Sequence, residues 1–170
     1  SLGDSFHVGN FGNSGKSIIK SSMDGQKKRS YFFQKEYSSS LGFQPNIVIS
    51  NLGINDLLDY NRAGDEFIND YKELLQSYLN LASQPELFVW NDLAPLMPGQ
   101  RFHGSKNISA INHDINTVVQ ELNQSYSNRI KTINMGQALN DRRFFMKDKL
   151  HPNTQGYKKI AEVVFKALQI

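Results

Sequence analysis

Asp148 and His151 stand three residues apart in the run Asp148-Lys149-Leu150-His151-Pro152-Asn153. In a tight turn, that spacing lets the carboxylate accept a hydrogen bond from the imidazole Nδ1–H. The tautomer is then fixed, and Nε2 is free to face a hydroxyl nucleophile as a general base. Three further runs carry complementary groups. Asn10-Phe11-Gly12-Asn13-Ser14-Gly15-Lys16-Ser17 offers backbone N–H groups in glycine turns, and Leu52-Gly53-Ile54-Asn55-Asp56 offers a side-chain amide and a carboxylate. Asn91-Asp92 adds another amide and acid. Donors of this kind stabilise a developing oxyanion, so the set as a whole suits acyl transfer.

These runs can meet only if the intervening elements bring them to one place. Phe6-His7-Val8-Gly9-Asn10-Phe11 reads as a strand entering a glycine-rich turn, and residues 29–41 as a helix. Residues 46–51 have a β-branched centre with Pro45 at their start, and read as a second strand. Over residues 65–82, Phe67, Ile68, Tyr71, Leu74, Leu75, Tyr78 and Leu79 recur at helical spacing. Residues 86–90 give a third strand. A helix starting at Ser109 then carries Ile111, Ile115, Val118, Val119 and Leu122, and residues 130–134 form a fourth strand. A last helix over 154–168 turns Tyr157, Ile160, Ala161, Val164, Phe165 and Leu168 inward. Strands alternating with helices imply right-handed crossovers and a parallel sheet covered on both faces. Ligands bind such sheets outside the carboxyl ends of the strands, where these runs fall.

Composition narrows the classes. The 170 residues suit one domain over 1–170, and 19 basic against 16 acidic residues give a net charge of only +3. That charge is too small and too evenly spread for a nucleic-acid partner. With 39% hydrophobic and 21% charged residues, a disordered chain is excluded. No apolar run approaches the roughly 18 residues of a membrane span. The absence of cysteine removes disulfides, thiolate zinc sites and thiol nucleophiles. His7, His103, His113 and His151 show no metal-ligand spacing, so neither metal nor cofactor is expected.

The runs around Gly12–Gly15, Gly53-Ile54-Asn55-Asp56 and Asp148–Asn153 resemble, in order, the second, third and fifth blocks of the SGNH (GDSL-type) hydrolases. Pro45-Asn46-Ile47-Val48-Ile49 resembles the strand leading into that family's Gly-x-Asn-Asp block, and Gly156-Tyr157 the start of its last helix. The resemblance spans nearly the whole chain. It implies a three-layer, flavodoxin-like α/β fold, with a parallel sheet and helices on both faces. It also implies a serine ester hydrolase acting on small acyl groups, with O-acetyl groups on carbohydrates as the leaning. By position it makes His151 the base, Asp148 its orienting partner, and Gly15 and Asn55 the oxyanion donors. It suggests a secreted or periplasmic protein.

The family's nucleophile is the serine of a Gly-Asp-Ser block. Gly3-Asp4-Ser5 makes Ser5 a nucleophile by type, but not by position. Only Ser1 and Leu2 precede Gly3, and five steps separate Ser5 from Asn10. A crossover between parallel strands needs about a dozen residues or more. The first strand, nucleophile and first helix are therefore expected upstream of Ser1, leaving at most four long parallel strands and a groove beside the second.

Structural readings compete at several positions. Asn55-Asp56 could be a simple turn, with Asp56 holding the loop. His7 suits packing, His113 a helix face, and His103 a Pro/Gly loop. Tyr31, Phe32, Phe33 and Tyr37 suit helix packing, and Lys27-Lys28-Arg29 a solvated helix start. Two rival functions remain. One is a non-catalytic binding module on the same fold, although such a module would normally lose the Asp-His pair. The other is a nucleotide-binding P-loop at Gly9–Ser17; there the motif places Asn10 where glycine is needed, and no acidic residue ends the 46–51 strand.

Overall fold

Three runs rich in β-branched and aromatic residues pair in parallel to form the sheet. The computed structural model describes residues 5–60, 65–91, 107–148 and 151–168. In chain order the elements are a hairpin of β1 (Met23–Asp24) and β2 (Lys27–Lys28), helix α1 (Lys35–Gly42), β3 (Ile47–Ser50), α2 (Glu66–Leu79), β4 (Glu86–Trp90), α3 (Ile108–Ser125), β5 (Ile130–Ile133), α4 (Met135–Ala138) and α5 (Thr154–Leu168). The sheet order is β3-β4-β5, with Val48 opposite Leu87 and Leu87 opposite Ile130.

Because side chains alternate across a strand, this register sorts them into two layers. Val48, Leu87, Val89 and Ile130 point to one side and join the helical faces of α2 (Phe67, Tyr71, Leu74, Leu75) and α3 (Ile111, Ile115, Val118). Ile47, Phe88 and Ile133 point to the other side, where Met135 and Leu139 meet Ile160, Val163, Val164 and Leu168 of α5. The result is a three-layer α/β arrangement, as expected. Burial follows the sequence periodicity in α2 and α3, and the bounds differ from the expected ones by only a few residues at α2 and one at α3.

The inward face expected for α5 is only partly right: Tyr157, Ala161 and Phe165 are exposed, and the helix packs through Ile160, Val163, Val164, Ala167 and Leu168, the residues that face the sheet. Three further expectations fail, each for a hydrogen-bonding reason. Residues 6–11 form no strand, because a strand exists only through its ladder and no neighbouring strand pairs with them. They lie instead against α1, with the rings of His7 and Phe11 edge-on to Phe43 and the Phe11 carbonyl accepting from the Tyr31 hydroxyl at 2.9 Å. The helix expected over 29–41 begins only at Lys35. The Tyr31 N–H donates to the Ser17 carbonyl at 2.8 Å, and Ser17 and Ser30 bridge, which keeps 29–30 out of the helix; Tyr31–Phe33 then makes a 3-10 turn. Lys27-Lys28 is a hairpin strand rather than a helix start. Gly25-Gln26 is the hairpin's two-residue loop, and Gly25 takes φ +59° at the first turn position, as a II′ turn requires.

Among the described residues no strand pairs with the outer edge of β3. A groove runs beside it, lined on one side by residues 5–13 and on the other by residues 45–52, with Leu87, Val89 and Leu168 in its walls. Ile49 on this edge is 46% exposed, an unusual state for the centre of a parallel strand. The groove is the feature expected beside the second strand, and the three parallel strands among the described residues fall within the four at most expected.

Candidate active site

Parallel pairing puts the carboxyl ends of β3, β4 and β5 on one rim. After β3 the chain turns at Gly53 (φ +128°) into a 3-10 turn over Ile54–Leu58 that presents Asn55 and Asp56. The two side chains do different things. The Asn55 amide donates to the Lys16 carbonyl at 3.0 Å. A primary amide carries two N–H donors, and the second has no partner among the described residues. The Asp56 carboxylate is fully buried. One of its oxygens accepts from the N–H groups of Ile18 and Ile19, both at 2.8 Å, and the other accepts from Ile18 at 3.0 Å. Burial pushes its pKa up to about 7, against the pull of those N–H groups and of Arg29.

Gly15 lies one residue before the carbonyl that Asn55 holds. Its φ of +74° is a left-handed conformation that glycine adopts without strain. The space where a side chain would stand is open. The Arg29 guanidinium approaches the Gly15 carbonyl at 3.4 Å and pairs with Asp59 at 3.8 Å.

The second group of residues stands just before α5. The His151 Nδ1 lies 2.8 Å from one Asp148 oxygen, and the His151 backbone N–H donates to the other at 3.0 Å. One carboxylate therefore fixes both the ring and the backbone of the histidine, with both side chains about half exposed. The turn is braced from behind by Asn153. Its Nδ2 donates to the carbonyls of Arg143 (2.8 Å) and Phe145 (3.0 Å), while its Oδ1 accepts from Gln155 and Gly156 at 2.9 and 3.1 Å and caps the helix. The backbone agrees: Met146 N–H donates to the His151 carbonyl at 2.8 Å, and Asn153 N–H to that of Phe144 at 2.9 Å. Gly156 is required by close approach, since a Cβ there would stand 2.2 Å from the Phe144 carbonyl oxygen.

The structure thus brings Asp148 to His151, and Asn55 to the Gly15-Lys16 turn. No hydrogen bond joins the two groups among the described residues. Ser5 is exposed at the groove and has no hydrogen bond to His151. Asp92, His103 and most of the loop over 92–108 lie outside the described residues, as do Lys149 and Leu150. His7 and His113 are exposed, and no three metal-binding side chains cluster among the described residues. No described helix is long and apolar enough to cross a membrane. The bracing roles of Asn153 and Gly156 were missed by residue-type reasoning, although Pro152-Asn153 ahead of a helical run is a capping signal.

A three-layer parallel sheet with an Asp-His pair before its last helix and an Asn-Asp turn after its edge strand defines the SGNH type of α/β hydrolase. Residues 2–159 match the GDSL-like lipase/acylhydrolase family, and the chain belongs to it. Among curated proteins it is similar to an acetylxylan esterase of Xylanibacter ruminicola, with 27% identity over 182 residues covering 99% of this chain and 37% of that protein. Among solved structures it is similar to a family 3 carbohydrate esterase of Clostridium thermocellum (TM-score 0.58, 24% identity, 76% of this chain and 61% of that one). It is also similar to a carbohydrate esterase of family 3 from Talaromyces cellulolyticus (TM-score 0.66, 20% identity, 91% and 67%). The structural likenesses establish the fold. The chain spans little more than a third of the curated relative's length.

Proposed function

We propose that this chain is the core of a carbohydrate O-acetylesterase working through a serine, His151 and Asp148. The observation that carries the proposal is the 2.8 Å contact between His151 Nδ1 and Asp148, which leaves Nε2 as the free ring nitrogen. Similarity to an acetylxylan esterase over nearly the whole chain supports the substrate class. His151 Nε2 takes the serine proton as the hydroxyl attacks the acetyl carbonyl, and Asp148 steadies the imidazolium. The backbone N–H of Gly15 and the spare N–H of Asn55 hold the oxyanion. The imidazolium then protonates the departing sugar oxygen, which leaves as a hydroxyl. Water, deprotonated by the same ring, releases acetate from the acyl-enzyme.

The nucleophile is carried by a further parallel strand seated in the groove between residues 5–13 and β3. The unpaired edge of β3 and the exposed Ile49 support that assignment, because a strand there would pair the free backbone groups and cover the apolar side chain. Among the described residues the groove walls carry no Asp, Glu, Lys or Arg, which suits a strand that is apolar throughout.

The test uses the full-length protein with acetylated xylan and a fluorophosphonate probe. Acetate release is expected, with His151→Ala lowering turnover by about 10³-fold or more. Peptide mapping should find the probe on a serine outside residues 5–168. A loss under tenfold removes His151 from the reaction. A label on Ser5 makes Ser5 the nucleophile and empties the groove of its assigned strand.

A further inference from the structure

The two oxyanion donors come from different loops, and a hole made from two loops works only if something fixes one loop to the other. Gly15 itself packs against nothing at its Cβ position. The attachment comes next along the chain, over Lys16–Ser22, where side chains reach in from two other elements. Asn55 holds the Lys16 carbonyl and Asp56 holds the N–H groups of Ile18 and Ile19, so adjacent residues of one turn grip the other loop from both polarities. Further on, Asp70 of α2 accepts from Lys20 N–H at 2.7 Å, and Glu66 accepts from Ser21 N–H at 2.8 Å and its hydroxyl at 2.5 Å. The Ser22 hydroxyl donates to Asp59.

These carboxylates are not equivalent. Ser21 and Glu66 meet at an exposed position where water can replace either partner. Asp56, Ile18 and Ile19 are all at or near 0% exposure, and an N–H deprived of its acceptor there has no substitute. Asp56 also sits next to Asn55 on a single 3-10 turn, so whatever it fixes is fixed relative to the Asn55 amide.

We propose that Asp56 is a positioning residue for the oxyanion site: its buried carboxylate locks the Gly15 loop to the turn bearing Asn55 and so sets the distance between the two donors. This rests on the esterase reading above. The group touches no substrate. It acts through the N–H groups of Ile18 and Ile19, three and four residues beyond Gly15. A carboxylate suits the task because it offers only acceptors, whereas an amide would turn an N–H toward another N–H.

The test compares Asp56→Asn with Asp70→Asn, which loosens the same segment at Lys20, the next residue away from Gly15. Amide hydrogen exchange at Ile18 and Ile19 should quicken by about 10-fold or more in Asp56→Asn. Exchange in α3 should stay unchanged. On acetylated substrate kcat should fall by about 10²-fold with KM within threefold, as expected for donors displaced by about 1 Å. Asp70→Asn should keep kcat within threefold. If Asp56→Asn does not fold, the unmodified protein answers: the Ile18 and Ile19 amide shifts should move together with the Asp56 carboxyl carbon as that group titrates. Unchanged exchange, independent titration, or faster exchange with undiminished kcat would each overturn the proposal. An inactive unmodified protein would overturn the esterase reading alone, and the exchange arm would still decide whether Asp56 clamps the loop.

Discussion

Replacing Gly156 with alanine sets two effects of opposite sign against each other. Gly156 is the third residue of α5, and in an unconstrained helix the change would stabilise by up to about 1 kcal/mol. Here the new Cβ would lie 2.2 Å from the Phe144 carbonyl oxygen and 2.9 Å from the Pro152 side chain. The first of these is backbone, which cannot swing aside, so helix and loop must separate by about 1 Å to reach ordinary contact. That separation stretches three bonds across the same gap: Asn153 Nδ2 to the Arg143 and Phe145 carbonyls, and Asn153 N–H to Phe144. At about 1 kcal/mol each, their loss outweighs the helix gain and leaves a net destabilisation of about 1–3 kcal/mol. For a domain of this size the unfolding midpoint should drop by about 2–12 °C. Thermal unfolding followed by circular dichroism reads this directly. A midpoint that stays put or rises would mean that α5 and the Phe144 loop are not in close contact, and the account of how the His151 turn is braced would fall with it.

Asn153→Ala should destabilise by about 2–4 kcal/mol in chemical denaturation, because two carbonyls lose a donor and the first turn of α5 loses its cap. Asn153→Asp keeps the cap and should recover about half of that loss. Asp56 links stability to pH. Its folded pKa of about 7 lies above the ordinary 3.8, so its contribution is fully present below about pH 4 and is lost as pH rises through 7. Asp56→Asn should remove that component from a plot of unfolding free energy against pH between 4 and 8, and an unaltered slope would count against a strained buried carboxylate.

What could be read from residue order follows physical lines. The helices over 66–79, 108–125 and 154–168 and the strands at 86–90 and 130–133 carry their apolar spacing within a single segment, so each can be recognised alone. The late start of α1 could not be, because what holds residues 29–30 out of a helix is their pairing with Ser17, and no local pattern records a partner in another segment. Residues 6–11 have strand composition, yet composition supplies no neighbour for their hydrogen bonds. At the site, the contact of Asp148 with His151 depends on a three-residue turn, which spacing alone suggests. The grip of Asp56 on Ile18 spans 38 positions. It is visible only once the fold has brought the 3-10 turn after β3 beneath the Gly15 loop.

The two halves of the site are secured by opposite means, and the difference follows from where each stands. The Asp148-His151 turn lies at the surface, where water competes for every bond. It is held by Asn153, a neutral amide with all its capacity used against backbone, and by a glycine that lets two backbones touch. Neither device responds to protons. The Gly15 side is held from below by a buried carboxylate, which provides acceptors without donors at the cost of desolvating a charge. An amide in that place would be cheaper to bury but would leave an N–H unpaired. Acidification therefore acts on the clamp rather than on the brace: protonating Asp56 neutralises its carboxylate while favouring the folded state, so the fold keeps the contribution of that carboxyl on the acid side.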